Sequence, residues 1–266
     1  MPSNFLKPFE DAAVHENISG IIRQHSTNKS DVRQAVTQGL DLSFAKEILD
    51  LGCGFGFMAE EVAGRAAPGA HVTGVDACEG NRAPFLEKVL AAGPGAEFLN
   101  MTITRDLPWP DRKFDLIVCS YSLYFFYEAI PELARVLKPH GLVLVMTHSE
   151  NAFRGLFDAA GISYEDSELA GLVRRFSAEN GEARLSPFFA EISRIDYPNA
   201  ILFEPEHFNE LVAYVRFKLP LLMNVNSGGE IPESVMRSLH KYISHRGKVV
   251  VEKSDTCFRC RRPRSP

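Results

Sequence analysis

Between Lys46 and His148, β-rich segments recur with helical segments between most of them, and this alternation restricts the fold more than any other feature of the chain. The β-rich segments read EILDL, HVTGVD, AEFLNM, FDLIVCS and LVLVMTH, and the helical segments stop at turns that contain Pro or Gly. Strands connected in this way pair in parallel, and helices then cover both faces of the sheet. The sequence therefore predicts an α/β fold with a mostly parallel sheet.

A glycine-rich turn, ILDLGCGFGFM over residues 48–58, joins the first of these strands to a helix. Glycines at such a junction leave backbone N–H groups and the positive helix end facing a ligand, because no side chains intervene. Dinucleotide sites follow the pattern G-x-G-x-x-G, whereas Gly52, Gly54 and Gly56 are spaced G-x-G-x-G. Phe57 also stands where the helix would meet a pyrophosphate. The turn favours a different nucleotide-like ligand.

Two carboxylates flank this turn. Asp50 precedes the glycines and places a negative charge where a diphosphate would lie, which favours a ligand with a positive charge. Asp76 ends the second strand roughly twenty residues past the glycines, the spacing at which a carboxylate accepts both hydrogen bonds from a ribose diol. A ribose joined to a cationic group is typical of S-adenosylmethionine, which we expect as the cofactor.

Four motifs in this region resemble those of the class I S-adenosylmethionine-dependent methyltransferases. LDLGCGFG is similar to the family's first motif, VTGVD to its acidic strand end, DLPWPDRKFDLIVCS to its fourth-strand region and LARVLKPHGLVLV to its fifth. The rest of the chain is similar, more loosely, to small-molecule methyltransferases of the type 11 and type 12 groups. The resemblance implies a Rossmann-like sheet with a final antiparallel strand and helical cap elements. It also implies methyl transfer to an oxygen, nitrogen or carbon nucleophile of a small-molecule metabolite.

The resemblance assigns cofactor-binding roles by position. It implies that the glycine turn wraps the methionine part, that Asp50 faces the ammonium through backbone or water, and that Asp76 holds the ribose. Ile103 and Thr104 stand where relatives carry an acidic or amide residue followed by a small one, so backbone groups or Thr104 would recognise adenine. The complete predicted set is Asp50, Gly52, Cys53, Gly54, Gly56, Asp76, Ala77, Ile103, Thr104 and Ser120, the last through its backbone.

Helical patterns flank the motif region on both sides. Hydrophobic spacing predicts two helices within residues 1–44, further helices over 151–160, 165–179, 206–219 and 232–244, a strand over 188–195 and a final extended stretch, KVVVEKSDTCFRCRR. We expect one methyltransferase domain over residues 1–266. Residues 1–44 would form a lid, 45–150 the cofactor-binding core, and 151–266 the cap helices and the strands that complete the sheet. Phe5, Phe9 and His15 are candidate lid residues, with ordinary helix packing as the alternative.

Methyl transfer is an in-line displacement, so much of its catalysis is the positioning of two reactants. A hydroxyl or protonated amine acceptor benefits from a base at the carboxyl ends of the strands, and His148 ends the fifth strand at that edge. His148 is therefore a candidate base, and a histidine that only bonds to a neighbouring loop is the alternative. The segment YSLYFFY adds Tyr121, a second candidate catalytic residue, and Tyr124, Phe125 and Tyr127. These aromatic residues would line an acceptor pocket or contact the sulfonium, or they would pack in the core.

Composition and charge restrict the partners and the location. The 29 basic and 34 acidic side chains give a net charge of −5, which disfavours nucleic acid as a partner. The chain shows no signal-like apolar run at its start, and its densest apolar run, Leu142 to Met146, is far shorter than a bilayer span. We expect a cytoplasmic protein with a small-molecule methyl acceptor and no membrane partner. Oligomeric state stays open.

The five cysteines predict reduced, buried thiols, because their number is odd and most lie in apolar stretches. Cys257 and Cys260 have redox-like spacing, but residues three apart on a strand point to opposite faces. No metal site is predicted.

Three other functions remain as alternatives. A nucleic-acid methyltransferase acting on amino groups would carry an acidic or amide residue, two prolines and an aromatic after the fourth strand, where this chain has Ser120-Tyr121-Ser122. The proline-cysteine pair of cytosine carbon methylation is also missing. A protein that binds the cofactor without turnover and a nicotinamide dehydrogenase are the other two.

Overall fold

The computed structural model describes residues 6–223 and 230–264, so Phe5 lies outside the described residues. The strands in these ranges are β1 Glu47–Leu51, β2 His71–Asp76, β3 Gly95–Asn100, β4 Phe114–Ser120, β5 Leu137–His148, β6 Phe189–Tyr197, β7 Ala200–Phe203, β8 Val249–Glu252 and β9 Asp255–Pro263. The helices are α1 Lys7–Glu10, α2 Ala12–His25, α3 Val32–Thr37, α4 Phe57–Ala63, α5 Arg82–Ala91, α6 Ile130–Val136, α7 Arg154–Ala160, α8 Glu168–Val173, α9 Gly181–Leu185, α10 Phe208–Leu222 and α11 Glu233–Arg246.

Seven strands form one sheet in the order β3-β2-β1-β4-β5-β9-β6. The first five are parallel, and β9 runs antiparallel to both β5 and β6. The central strands are continuous apolar runs because both of their faces are covered, and Leu49, Ile117 and Leu144 have no exposed surface. The predicted mostly parallel sheet with a final antiparallel strand is confirmed.

Helices cover both faces of this sheet, as predicted. On one face α3, α4 and α5 contribute to a buried cluster that includes Met58, Val62 and Phe85. On the other face α6 contributes Leu133 and Val136 to a second cluster, which α8 and α9 complete. The apolar residues of each helix fall on the side that meets the sheet, so burial fixes the orientation of these helices.

The remaining helices pack around a third buried cluster, beside the sheet. Helices α2, α7, α10 and α11 meet there with the two-stranded sheet that β7 and β8 form. Its largest fully buried members include Phe157, Phe203 and Tyr214. The segments that the sheet does not need therefore have a core of their own beside the main sheet. No helix in the described residues is long and apolar enough to cross a membrane.

The C-terminal part differs from its prediction in the arrangement of its strands. The final extended stretch was expected as a single unit, but it divides at Lys253 and Ser254 into β8, which pairs with β7, and β9, which enters the main sheet. The sequence analysis also missed β7, because four residues are too few for a clear alternating pattern. The division brings Lys253 and Asp255 to the carboxyl end of β5, where His148 pairs with Asp255.

Candidate active site

A cavity of about 560 Å³ opens at the carboxyl ends of the parallel strands, where β1 and β4 lie side by side and the strand order reverses. Open α/β sheets bind ligands at this position, because neighbouring connections leave the sheet toward opposite faces there. The volume lies within the range of small-molecule sites. Its lining joins the glycine turn and Asp76 at one end to Tyr121 and His148 at the other.

The glycine turn has a backbone conformation that only glycine adopts easily. Gly52 has φ +71°, and a β-carbon there would lie 2.4 Å from Ser122 Cβ. Gly54 has φ +51°, and its N–H donates to Asp76 Oδ2 at 2.8 Å. Gly52, Cys53 and Gly54 line the cavity, whereas Gly56 lies outside the lining and approaches Phe85 of α5. The turn thus presents bare backbone to a ligand along its first half.

Asp76 is held in place by three donors. Besides Gly54, the Cys78 N–H donates to Oδ1 at 2.8 Å and Asn81 Nδ2 donates to the same oxygen at 3.2 Å. A carboxylate has about four lone-pair sites, so capacity remains for a hydroxyl of a ribose. Asn81 is fully buried, and its Oδ1 has no hydrogen-bond partner among the described residues. The sequence analysis did not identify Asn81.

Asp50 lies beneath the turn and outside the cavity lining. It has no exposed surface, and neither carboxylate oxygen has a hydrogen-bond partner in the described part of the chain. Burial, and then the charge of Asp76, raise the pKa of Asp50 to about 8. A buried carboxylate without donors is unfavourable. A positive charge bound near the turn, such as the ammonium of S-adenosylmethionine, would favour its ionised form, so this acid is compatible with the predicted cofactor.

Of the two residues predicted to contact adenine, one lines the cavity and the other does not. Ile103 lines the cavity together with Met101 and Thr102, and Ala77 and Ser120 line it as well. Thr104 is exposed and outside the lining, and its hydroxyl donates to the Asp106 carbonyl at 3.4 Å. This side of the cavity therefore offers apolar side chains and backbone groups to an adenine ring. A role for Thr104 in binding adenine stays a prediction.

His148 pairs with Asp255 at the far end of the cavity. Its Nδ1 lies 2.7 Å from Asp255 Oδ1, and the side chain is 6% exposed. Tyr121 stacks on the imidazole with a centroid separation of 4.7 Å and donates its hydroxyl to Asp255 Oδ2 at 2.8 Å. Lys253 Nζ donates to the same oxygen at 2.6 Å. One buried carboxylate thus orients both candidate catalytic residues.

Burial and a nearby lysine keep the imidazole of His148 neutral. Burial, and then Lys253, lower the pKa of His148 to about 4, although Asp255 acts to raise it. Burial alone would raise the pKa of Asp255, but Lys253 and His148 bring it below its ordinary value. Since ionised Asp255 accepts from Nδ1–H, the lone pair of His148 lies on Nε2, which has no hydrogen-bond partner among the described residues. The imidazole is therefore in a state that accepts a proton.

A second lysine, Lys218 of α10, also borders the cavity. Its Nζ lies 4.9 Å from the ring centroid of Phe153 and 5.4 Å from that of Phe217. Burial, and then Lys253, lower the pKa of Lys218 to about 7. Neither this lysine nor Asp255 was singled out from the sequence. A lone lysine within the apolar run YVRFKLPLL was the signal available for Lys218.

Helices α1 and α2 cover the glycine end of the cavity with aromatic side chains. The His15 ring lies 5.1 Å from Phe9 and 5.6 Å from Phe217 between centroids, and its Cε1 comes within 3.7 Å of a β-carbon placed on Gly54. Burial, and then Lys218, lower the pKa of His15 to about 4. Both predicted lid residues inside the described ranges, Phe9 and His15, thus line the cavity.

The YSLYFFY segment lines the cavity only in part. Tyr121, Tyr124 and Phe125 face it, but Tyr127 lies outside the lining, where Arg184 stacks over its ring at 4.8 Å. Tyr121 itself has φ +54°, a left-handed conformation that costs about 1–2 kcal/mol for a residue with a side chain. Its hydrogen bond to Asp255 and its stacking on His148 stabilise this conformation.

The cysteines take no part in this arrangement as ligands or disulfides. All five are free and buried, and Cys257 and Cys260 belong to clusters on opposite faces of the sheet, as predicted. Within residues 6–223 and 230–264, no group of three or more His, Cys, Asp or Glu side chains could hold a metal ion.

Comparisons with known proteins find similarity to methyltransferases. A family model described as a methyltransferase domain matches residues 48–141. Ubiquinone biosynthesis O-methyltransferase from Pseudomonas aeruginosa is 31% identical over 126 residues, which cover 45% of this chain and 51% of that protein. Trans-aconitate 2-methyltransferase from Paracidovorax citrulli is 30% identical over 135 residues, 50% of each protein. The chain thus spans about half the length of these relatives.

A solved structure extends the likeness in fold to most of the chain. The crystal structure of a protein from Bacillus halodurans that is described as a methyltransferase superposes with a TM-score of 0.56. The superposition covers 88% of this chain and 99% of that one at 16% sequence identity. At this sequence identity, the similarity shows a shared fold and not a shared function. The parallel sheet with its antiparallel strand belongs to that fold.

Proposed function

We propose that this chain is a class I, S-adenosylmethionine-dependent methyltransferase and that it transfers a methyl group from S-adenosylmethionine to a hydroxyl oxygen of a small-molecule metabolite; the match of residues 48–141 to a methyltransferase domain supports the first part. The observation that carries the proposal is a single cavity with two ends. A bare glycine turn and Asp76 line one end, and a neutral His148 paired with ionised Asp255 lines the other. A cytoplasmic location is part of the same proposal.

The cofactor would occupy the end of the cavity at β1 and β2. The backbone of Gly52, Cys53 and Gly54 would contact its methionine part, and Asp76 would accept from its ribose. Asp50, buried beneath the turn, would act on its ammonium through the intervening backbone. Ile103 would pack against the adenine. When bound, S-adenosylmethionine supplies a methyl carbon activated by a positive sulfur, which keeps the electron pair of the broken bond.

His148 would remove the proton of the acceptor hydroxyl. As the oxygen forms its bond to the methyl carbon, its proton moves to Nε2 of His148, and Nδ1–H keeps its hydrogen bond to Asp255. The carboxylate stabilises the imidazolium that results. Tyr121 is a positioning residue here, since its hydroxyl is directed to Asp255. This geometry favours an oxygen nucleophile among the acceptor atoms that the sequence allowed.

Calorimetry with S-adenosylmethionine and S-adenosylhomocysteine tests the cofactor part on wild type and Asp76→Ala. Loss of a hydrogen bond to a charged group costs about 1.5–3 kcal/mol, so the variant should bind at least about tenfold more weakly. Asp106→Ala is a matched control, because Asp106 is exposed and outside the cavity lining. Equal affinity of wild type and Asp76→Ala would contradict the proposed ribose contact.

Turnover is measured separately, as S-adenosylhomocysteine formed with a panel of hydroxylated acceptors. Cofactor binding without turnover of any acceptor would favour the alternative of a non-catalytic binding protein. Affinity for a reduced nicotinamide cofactor above that for S-adenosylmethionine would instead favour a dehydrogenase.

A further inference from the structure

The far end of the cavity holds more positive than negative charge. Asp255 accepts hydrogen bonds from His148 on Oδ1 and from Tyr121 and Lys253 on Oδ2. Its negative charge is therefore already paired within the chain. Lys218 is a second ammonium at the same end, and it forms no hydrogen bond or ion pair with any described residue. Residues 1–5, 224–229 and 265–266 contain no Asp or Glu. Among the described residues, Lys253 thus has a carboxylate partner and Lys218 has none.

In these surroundings, the positive charge of Lys218 is destabilising unless an anion binds beside it. Its ammonium lies against the rings of Phe153 and Phe217, and rings compensate a cation only partly. Its lowered pKa reflects the same burial. A carboxylate placed beside the ammonium would restore the charge balance and satisfy its donors. The side chain is partly accessible, so such a partner can reach it from the cavity.

Lys218 and His148 are close enough for one small molecule to reach both. The Lys218 ammonium and the His148 ring each lie 4.9 Å from the centroid of Phe153. Between them and the lid, the cavity is lined by aromatic rings. Phe9 meets Phe125 and Phe217 edge to face, at 6.4 and 5.7 Å between centroids. Such a lining favours a flat, unsaturated ligand over a flexible polar one.

We propose that the acceptor is a small aromatic compound with a hydroxyl and a carboxylate, and that Lys218 binds the carboxylate while His148 faces the hydroxyl. This assignment rests on the proposed function for its reaction, but the binding it requires is measured without turnover. The hydroxyl loses its proton to His148 and gains the methyl group. The carboxylate is unchanged, so the product is a methyl ether of an aromatic acid.

The experiment uses pairs of ligands that differ in one charge. Mono- and dihydroxybenzoates and the corresponding hydroxybenzamides are titrated into the protein saturated with S-adenosylhomocysteine. The wild type should bind at least one benzoate about tenfold or more tightly than its amide, the size expected for a charge-assisted contact in a partly buried site. Lys218→Met should lose this preference, and Lys218→Arg should keep part of it. Lys241→Met, a change at an exposed lysine of α11, should bind like the wild type.

Each result decides the proposal. It is overturned if wild type binds acid and amide equally, if it binds neither of any pair, or if Lys218→Met keeps the preference while still binding S-adenosylhomocysteine. If Lys218→Met does not fold, the wild-type comparison and Lys218→Arg still decide. Where turnover occurs, an alkali-labile methyl ester as product would also overturn it, because the carboxylate would then face His148. Selective binding of the acids without any turnover would support the anion site and count against the proposed reaction alone.

Discussion

The unpaired carboxylate of Asp50 predicts that cofactor binding is coupled to proton release. In the free protein its pKa is about 8, so at pH 7 roughly nine tenths of the molecules carry a proton on Asp50. A bound ammonium would lower that pKa, so the ionised fraction of Asp50 would be larger in the complex. Binding between pH 6 and pH 7 should therefore release up to about one proton, and affinity should rise by up to about tenfold over that unit of pH.

Asp50→Asn isolates this effect. The variant keeps the shape of the side chain but cannot ionise, so it should release fewer protons than the wild type, by up to about one. Its affinity should also lack the rise with pH that Asp50 contributes. Lys218, whose pKa is about 7, titrates in both proteins, and only the difference between them is assigned to Asp50. Calorimetry in phosphate and in Tris, which differ in ionisation enthalpy, counts the protons. Below pH 7 the α-ammonium of the cofactor stays mainly protonated.

Thermal unfolding gives an internal check on the same carboxylate. Its raised pKa means that the folded protein keeps the proton while the unfolded chain loses it, so Asp50 lowers stability progressively from about pH 4 to about pH 8. The melting temperature of Asp50→Asn should thus increase relative to that of the wild type as the pH rises from 5 to 8. A wild-type affinity that does not change between pH 6 and 7, or an equal proton release in both proteins, would refute the reasoning.

Two further substitutions test the two ends of the cavity. His148→Ala should reduce kcat by about 10²–10⁴-fold and leave the dissociation constant of S-adenosylhomocysteine nearly unchanged, because a general base acts only in the chemical step; unchanged turnover would remove His148 from the mechanism. Gly54→Val should abolish cofactor binding, since a branched side chain at φ +51° must distort the turn or enter the ligand's space. Gly69→Val is its matched control, at φ +74° in a turn with open space around the α-carbon, and it should keep the cofactor affinity. Unchanged affinity in Gly54→Val would show that the turn does not contact the ligand.

Local patterns were sufficient for the parallel sheet and for one end of the site. Continuous apolar strands, the glycine turn after β1 and Asp76 at the end of β2 lie close together in sequence, and βα connections bring the strand ends to a single edge. The position of His148 at that edge followed from the same rule. The short strand β7 could not be predicted, since its four residues are stabilised by pairing with β8 and by the third buried cluster.

Tertiary structure decided the chemistry of the other end. Asp255 lies 107 residues beyond His148 in sequence, and antiparallel pairing of β9 with β5 brings the two together. Lys218 reaches the same cavity from α10. The pKa of each group depends on burial and on charges from distant segments, which no local pattern records. The sequence by itself thus determined where a ligand could bind, while packing of the C-terminal segments determined which groups there are neutral, charged or without a partner.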